Sequence, residues 1–181
     1  MARRSLPLAA VVLVVLATAA PVARSQPSVR DRVVGEWVLV PDVPTARRTI
    51  RRAYDRVLRD ANAIIRGIAR QRLDVDQQLP RRIEIAIDGW YITTTLRTSR
   101  RIRWRTREGY ATEVRGDDGS EAELTQHFRG GHLELMSTFP EGRRWIQLTP
   151  QGDDRLTMTT TVDPMMIDDN VHFTLAYRRA D

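Results

Sequence analysis

Cysteine is absent from all 181 residues. That excludes a disulfide framework, a thiolate metal site and a lipid-carrying lipobox cysteine. Lysine is absent as well, so every basic residue is an arginine. The very high pKa of arginine accounts for most of the basic character, and no nucleic-acid partner is read from it. No Gly-x-Ser-x-Gly elbow is present, which leaves Ser120 and Ser137 without the turn that activates a hydrolase serine. No glycine-rich loop is available to cradle a phosphate. Aromatic residues make up only 6% of the chain. No apolar run reaches the roughly 20 residues that a membrane-crossing helix needs.

One shorter run does occur. Leu8 to Ala20 is apolar except for Thr18, follows Arg3 and Arg4, and precedes Ala23-Arg24-Ser25-Gln26. That is the layout of a secretory signal, with small residues placed before a cut. The expected organisation is a cleaved signal peptide over 1–25, a flexible lead-in over 26–32, and one domain over 33–181. Cleavage after Ala23 is the alternative site, and a retained anchor is the alternative fate. An exported chain without cysteine suits the periplasm or exterior of a bacterium. A mature chain of this length can bury a core without covalent staples.

The formal charge is +6. Arg3, Arg4 and Arg24 lie in the signal, which leaves +3 for the mature chain. The charge is concentrated. Thr45 to Arg72 holds nine arginines and two aspartates. This segment is either a solvated face with partners on the rest of the domain or a surface for anionic lipid. Arg47, Arg48, Arg51 and Arg52 head the second option, a peripheral membrane contact.

Periodicity separates the chain into a helical part and a strand part. Val33 to Val40 reads as a strand, stopped by Pro41-Asp42-Val43-Pro44. Asp42 or Thr45 can cap the helix that follows. Ala46, Ile50, Ala53, Tyr54, Val57, Leu58, Ala61, Ile64, Ile65 and Ile68 form a stripe at helical spacing. Unbroken, that helix would be about 40 Å long and would overhang a strand of about 24 Å. Asn62 or Gly67 could divide it, so one long helix and two short ones both stand.

From Arg82 the period is two. Nine strands follow, most of them joined by tight turns: Asp88-Gly89, Glu108-Gly109, Gly116 to Gly119, Arg129-Gly130-Gly131, Pro140 to Gly142 and Gln151 to Asp154. One face of nearly every strand is apolar, and the other carries Arg, Glu and Thr. Arg101, Arg103, Arg105 and Arg107 form a ladder on the wet face, where Glu121 and Glu123 can pair with them. The expected fold is mainly β: about ten antiparallel strands in an up-and-down barrel or half-barrel, with one long or two short helices after the first strand. Such a meander curls to bury its oily face and its edges.

A strand bearing Gly35-Glu36-Trp37, then helix, then a meander ending in Thr174-Leu175-Ala176-Tyr177, resembles the calycin superfamily. It is similar to the fatty-acid-binding-protein branch and looks like uncharacterised secreted lipocalin-like proteins of bacteria. The resemblance covers nearly the whole mature chain. It implies a structural role for Gly35 and Trp37, with Trp37 packed against a basic residue of the last strand, Arg178 or Arg179. In the fatty-acid-binding branch the last strand offers an Arg-x-Tyr pair to a ligand carboxylate. Tyr177 matches that pair, but Leu175 stands at the arginine position.

The functional expectation is a non-catalytic binding protein for an apolar or amphipathic small molecule. Its lining would be Trp90, Ile92, Trp104, Tyr110, Leu124, Phe128, Leu133, Leu135, Met158, Phe173 and Tyr177. No acid, base and nucleophile set can be named, and no cofactor or metal is implied. His127, His132 and His172 fall on the wet face by alternation. The acidic pairs 117–118, 153–154 and 168–169 sit at turns, where aspartate bonds its own backbone.

Overall fold

The computed structural model describes residues 27–72, 75–76, 78–115, 121–165 and 167–180, with the side chains of 68–72 left aside. The expected signal segment and the expected Gly116 to Gly119 turn lie outside the described residues.

The lead-in carries structure that periodicity did not disclose. Val29–Val33 is a short helix, α1. Ser28 and Asp31 cap it reciprocally: the Ser28 hydroxyl accepts from the Asp31 backbone while the Asp31 carboxylate accepts from Ser28. Those bonds hold the Asp31 carboxyl below its ordinary range. Strand β1 is correspondingly shorter than expected, Gly35–Leu39.

The helical stripe is divided. Asp42 caps α2, Val43–Val57, by accepting from the Thr45 N–H at 2.7 Å. A second helix, α3, spans Ala63–Arg72. The break falls at Asn62, whose side-chain oxygen accepts from the Ile65 N–H at 2.9 Å and so starts a new helix. Arg66 reaches back to the Arg59 and Ala61 carbonyls. Gly67 does not interrupt α3.

Nine strands follow: β2 Arg82–Asp88, β3 Tyr91–Arg97, β4 Arg101–Arg107, β5 Thr112–Arg115, β6 Glu121–Arg129, β7 His132–Phe139, β8 Gly142–Gln151, β9 Arg155–Pro164 and β10 Val171–Arg179. They join β1 in one antiparallel sheet of order β4-β3-β2-β1-β10-β9-β8-β7-β6-β5. First and last strands are therefore neighbours, with Trp37 opposite Arg179. The sheet curls until β4 lies against β5 and β6. This is a ten-stranded, nearly closed barrel.

Alternation sets the interior. Ile83, Ile85, Ile92, Leu96, Leu124, Leu133, Leu135, Ile146, Leu148, Leu156, Met158, Phe173, Leu175 and Tyr177 all point inward and are buried. Helix α1 plugs one end, the base, against β7 and β8. Helix α2 lies on β10 and adds Ala46, Ile50, Ala53 and Tyr54 to the core. It marks the other end, the lid end.

The ion pairs on the outer wall differ from the expected ones. Glu121 pairs with Arg115 of the adjacent β5 at 2.7 Å, not with the Arg101 to Arg107 ladder. Strands β4 and β5 are not hydrogen-bonded neighbours, so cross-strand pairing with the ladder is interrupted there.

Candidate functional site

The base of the barrel is closed by the elements that the resemblance singled out. Trp37 has no exposed surface, and its indole N–H donates to the Val33 carbonyl at 2.8 Å. Arg179 covers its ring, 4.4 Å from the centroid. The same guanidinium donates to the carbonyls of Val34, Arg32 and Asp153, each at 2.8 Å. Arg178 points to the outer face instead. Gly35 is required at this spot. A Cβ there would lie 2.5 Å from the Arg179 guanidinium, and its φ is +130°.

The middle of the barrel is packed. Ile92, Leu124, Leu133, Leu135, Leu148, Leu156 and Met158 are at most 1% exposed. One polar knot sits among them. Gln126 of β6 accepts from the Thr94 hydroxyl at 2.6 Å and donates to the Ile92 carbonyl and the Thr106 hydroxyl, each at 3.1 Å. It stitches β6 to β3 and β4 where the ladder is open. The last strand presents no anion site. Leu175 is apolar, and the Tyr177 hydroxyl donates to the Pro80 carbonyl at 2.9 Å. Burial pushes that hydroxyl's pKa up.

The lid end is looser. Ile102 and Trp104 of β4, Val114 of β5, Phe139 of β7 and Val162 of β9 are inward-facing and only partly buried. Among them lies Arg144 of β8. Strand parity with Ile146 and Leu148 turns it inward, opposite Ser137 on β7 and Val162 on β9. Its guanidinium lies 5.9 Å from the Trp104 ring centroid across the interior and 5.6 Å from that of Phe139. Its single hydrogen-bond partner among the described residues is the Gln78 side-chain oxygen, at a long 3.4 Å. Its Nε is sealed from solvent and has no partner among the described residues, and neither does the Thr160 hydroxyl nearby on β9. Burial pulls the Arg144 pKa down, with the Tyr54 hydroxyl opposing. Burial raises Tyr54 itself to about 12, with Arg144 lowering it.

The expected lining residues divide three ways. Ile92, Leu124, Leu133, Leu135, Met158, Phe173 and Tyr177 are in the core. Trp104 and Phe128 are half-buried, Trp104 at the lid end and Phe128 at the base beneath Arg30. Trp90 and Tyr110 are corrections, since they are 69% and 57% exposed. The β2–β3 turn consists of Gly89 and Trp90, with Asp88 paired to Tyr91. The turn thus comes one residue later than Asp88-Gly89 and carries Trp90 out of the strand. Tyr110 precedes β5 and packs on Arg107 outside the barrel.

Of the basic helix residues, Arg47 is tied to Asp76 at 2.6 Å and Arg48 to the Thr45 hydroxyl at 2.7 Å. Arg51 and Arg52 are exposed. His127 and His132 flank Glu134, at 3.3 and 3.7 Å. His172 lies apart, beside the Thr161 hydroxyl. No group of three metal-binding side chains converges among the described residues. Sequence reasoning assigned nothing to Arg144 or Gln126. The signal was their parity with Ile146 and Leu124.

No protein-family model matches the chain, and no curated protein matches it. Solved structures do. A secretory abundant heat soluble protein of Ramazzottius varieornatus aligns with a TM-score of 0.58 at 12% identity, over 86% of this chain and 98% of that one. Fatty-acid-binding protein 1 of Echinococcus granulosus aligns with a TM-score of 0.55 at 11% identity, over 83% and 99%. A Schistosoma mansoni fatty-acid-binding protein in complex with arachidonic acid aligns with a TM-score of 0.55 at 16% identity, over 85% and 100%. The chain has the calycin-like, nearly closed β-barrel fold of the fatty-acid-binding proteins.

Proposed function

We propose that the chain binds a small apolar or amphipathic molecule, without catalysis, after export to a bacterial periplasm or exterior. The observation that carries this reading is the contrast between the two ends of the barrel. The base is plugged and bonded shut, whereas the inward-facing Ile102, Trp104, Val114 and Val162 toward the lid end keep part of their surface accessible. A concave apolar site with few polar groups is the usual form of a small-molecule pocket. The fold shared with fatty-acid-binding proteins supports the same reading. Export rests on the N-terminal segment, and sequencing the mature N-terminus should find Gln26 first.

Native mass spectrometry of protein purified from its own host tests the binding claim. The expected result is added mass that disappears on delipidation and returns with a single-chain lipid. An unmodified mass that takes up no such lipid would remove the claim.

A second reading has its own observation: Arg51 and Arg52 project from α2 into solvent. On this reading α2 is a contact surface for anionic membrane or a partner. It requires vesicle binding that weakens with salt and is lost when Arg51 and Arg52 become Glu.

A further inference from the structure

The outer wall carries its charge unevenly. Residues 97–107, which end β3 and include β4, hold six arginines and no acid. Arg101, Arg103, Arg105 and Arg107 project outward from β4, and all four are exposed. Same-face residues of a strand stand roughly 7 Å apart, so the ladder lines about 20 Å of one sheet edge. Elsewhere on the wall arginines are paired. Arg82 meets Glu36 and Arg97 meets Glu84, each at 2.5 Å, and Arg115 meets Glu121 at 2.7 Å. Pairing stops at β4. Among the described residues, Arg101 and Arg103 have no carboxylate within ion-pair distance. Arg105 has only Asp88, 3.6 Å away and almost wholly in solvent. The β3 residues opposite the ladder are Arg97, Thr95, Thr93 and Tyr91, which add no acid. Like charges spaced within a Debye length of about 8 Å repel one another, and together they make a field of one sign that attracts a polyanion. Charge on an edge strand also deters unwanted strand pairing, but that task is met by either sign and by a single residue.

The base end of the ladder is aromatic. The Arg105 guanidinium lies 4.2 Å from the Tyr91 ring centroid, and that of Arg107 lies 4.5 Å from the Tyr110 centroid. Both rings are exposed, and so is Trp90 in the adjoining turn. Beside that turn a groove of about 490 Å³ is lined by Arg30, Asp31, Val34, Ile87 and Gly89. Its charges are already matched, Arg30 by Glu108 and Asp31 by the Ser28 hydroxyl. The groove therefore suits an uncharged ring bearing hydroxyls, whereas the ladder suits carboxylates. Single-stranded nucleic acid fits less well. It calls for rings on which successive bases stack along the charged track. Here the three rings gather at one end, and Arg101 and Arg103 have none on their face.

We propose that this face, outside the barrel and independent of any interior ligand, binds an acidic polysaccharide, a chain of uronate sugars being the simplest. Arg101, Arg103 and Arg105 receive its carboxylates in charge-assisted pairs, which the planar guanidinium fork matches. Trp90 and Tyr91 pack on the apolar face of a sugar ring at the base end.

Calorimetry with a short oligogalacturonate tests this. Binding should weaken by about tenfold or more as salt rises from about 50 to 200 mM, and a neutral dextran should not bind. Arg101→Gln and Arg103→Gln together should cost at least about tenfold at low salt and flatten the salt dependence. Trp90→Ala should weaken binding several-fold and leave the salt dependence as it is. Arg51→Gln with Arg52→Gln, on α2, removes the same charge and should change nothing. In the wild type, amide shifts on titration should gather in β3 and β4 and spare β8, β9 and β10. Full affinity in the Arg101, Arg103 double variant, equal binding of dextran, or shifts confined to other strands would overturn the proposal. Tighter binding of an oligothymidylate would overturn it as well, by giving the face to single-stranded nucleic acid. None of these outcomes bears on the interior binding function.

Discussion

Arg144 is an expensive residue in the unliganded protein. Its Nε has no acceptor among the described residues, and its neighbours Trp104 and Phe139 are apolar. Methionine has a similar reach and no charge to desolvate. Arg144→Met should therefore stabilise the ligand-free barrel by about 1–2 kcal/mol. Urea denaturation of delipidated protein checks this, and a clear loss of stability would mean that the guanidinium is satisfied. The buried tyrosines give a second residue-scale expectation. Burial raises Tyr54 from 10.0 to about 12 and raises Tyr177 as well. A raised pKa contributes stability that is complete below the unfolded value. It is lost as pH climbs from 10 through the folded value. Stability should thus fall between pH 10 and 12, and the slope should flatten in a Tyr54→Phe, Tyr177→Phe double variant. An unchanged slope would contradict the assignment.

At the scale of elements, the division of the helical stripe is a local competition. The stripe from Ala46 to Ile68 runs on without a change of phase, so periodicity cannot show a break. The Asn62 side chain decides it by capping the second helix. Gly67 lies inside that helix, where an added Cβ meets nothing. Asn62→Ala should cost about 1 kcal/mol, whereas Gly67→Ala should gain roughly 0.5–1 kcal/mol. Thermal unfolding of the two variants reads both signs, and the reverse order would place the break at Gly67. Strand parity was the legible part of the sequence. Ile92, Leu124, Leu133, Leu135, Met158 and Phe173 point inward as alternation requires. Turn position was not legible, because Asp88-Gly89 and Gly89-Trp90 are both acceptable two-residue loops. That single step takes Trp90 out of the interior. Helix α1 escaped notice because five residues are too few for a period, although Ser28 and Asp31 carry the spacing of a capping box.

At the scale of the molecule, the barrel is closed by hydrogen bonds everywhere except between β4 and β5. Gln126 crosses that opening with three hydrogen bonds. Replacing it with leucine leaves the Thr94 and Thr106 hydroxyls and the Ile92 carbonyl short of partners in a dry interior. The expected cost is about 2–4 kcal/mol, with amide exchange quickening in β4 and β5 ahead of β9 and β10. Uniform quickening would show that the knot does not hold the seam. The seam and the lid end belong to one region, since Thr106 and Trp104 share β4. The candidate site was legible only in part for the same reason. Sequence alternation places apolar residues inside, but it does not say that the base half is filled and the lid half is looser. That contrast arises from α1, the Trp37–Arg179 seal and the Gln126 knot, all long-range contacts.

The most direct check of the whole account is a methyl NMR titration of delipidated protein with a single-chain fatty acid. The methyl groups of Ile102, Val114 and Val162 should shift together and saturate with one ligand, while Val33 at the base and Val40 on the surface stay still. Shifts that appear only at outward-facing methyls, or none at any ligand excess, would contradict a ligand held inside the barrel.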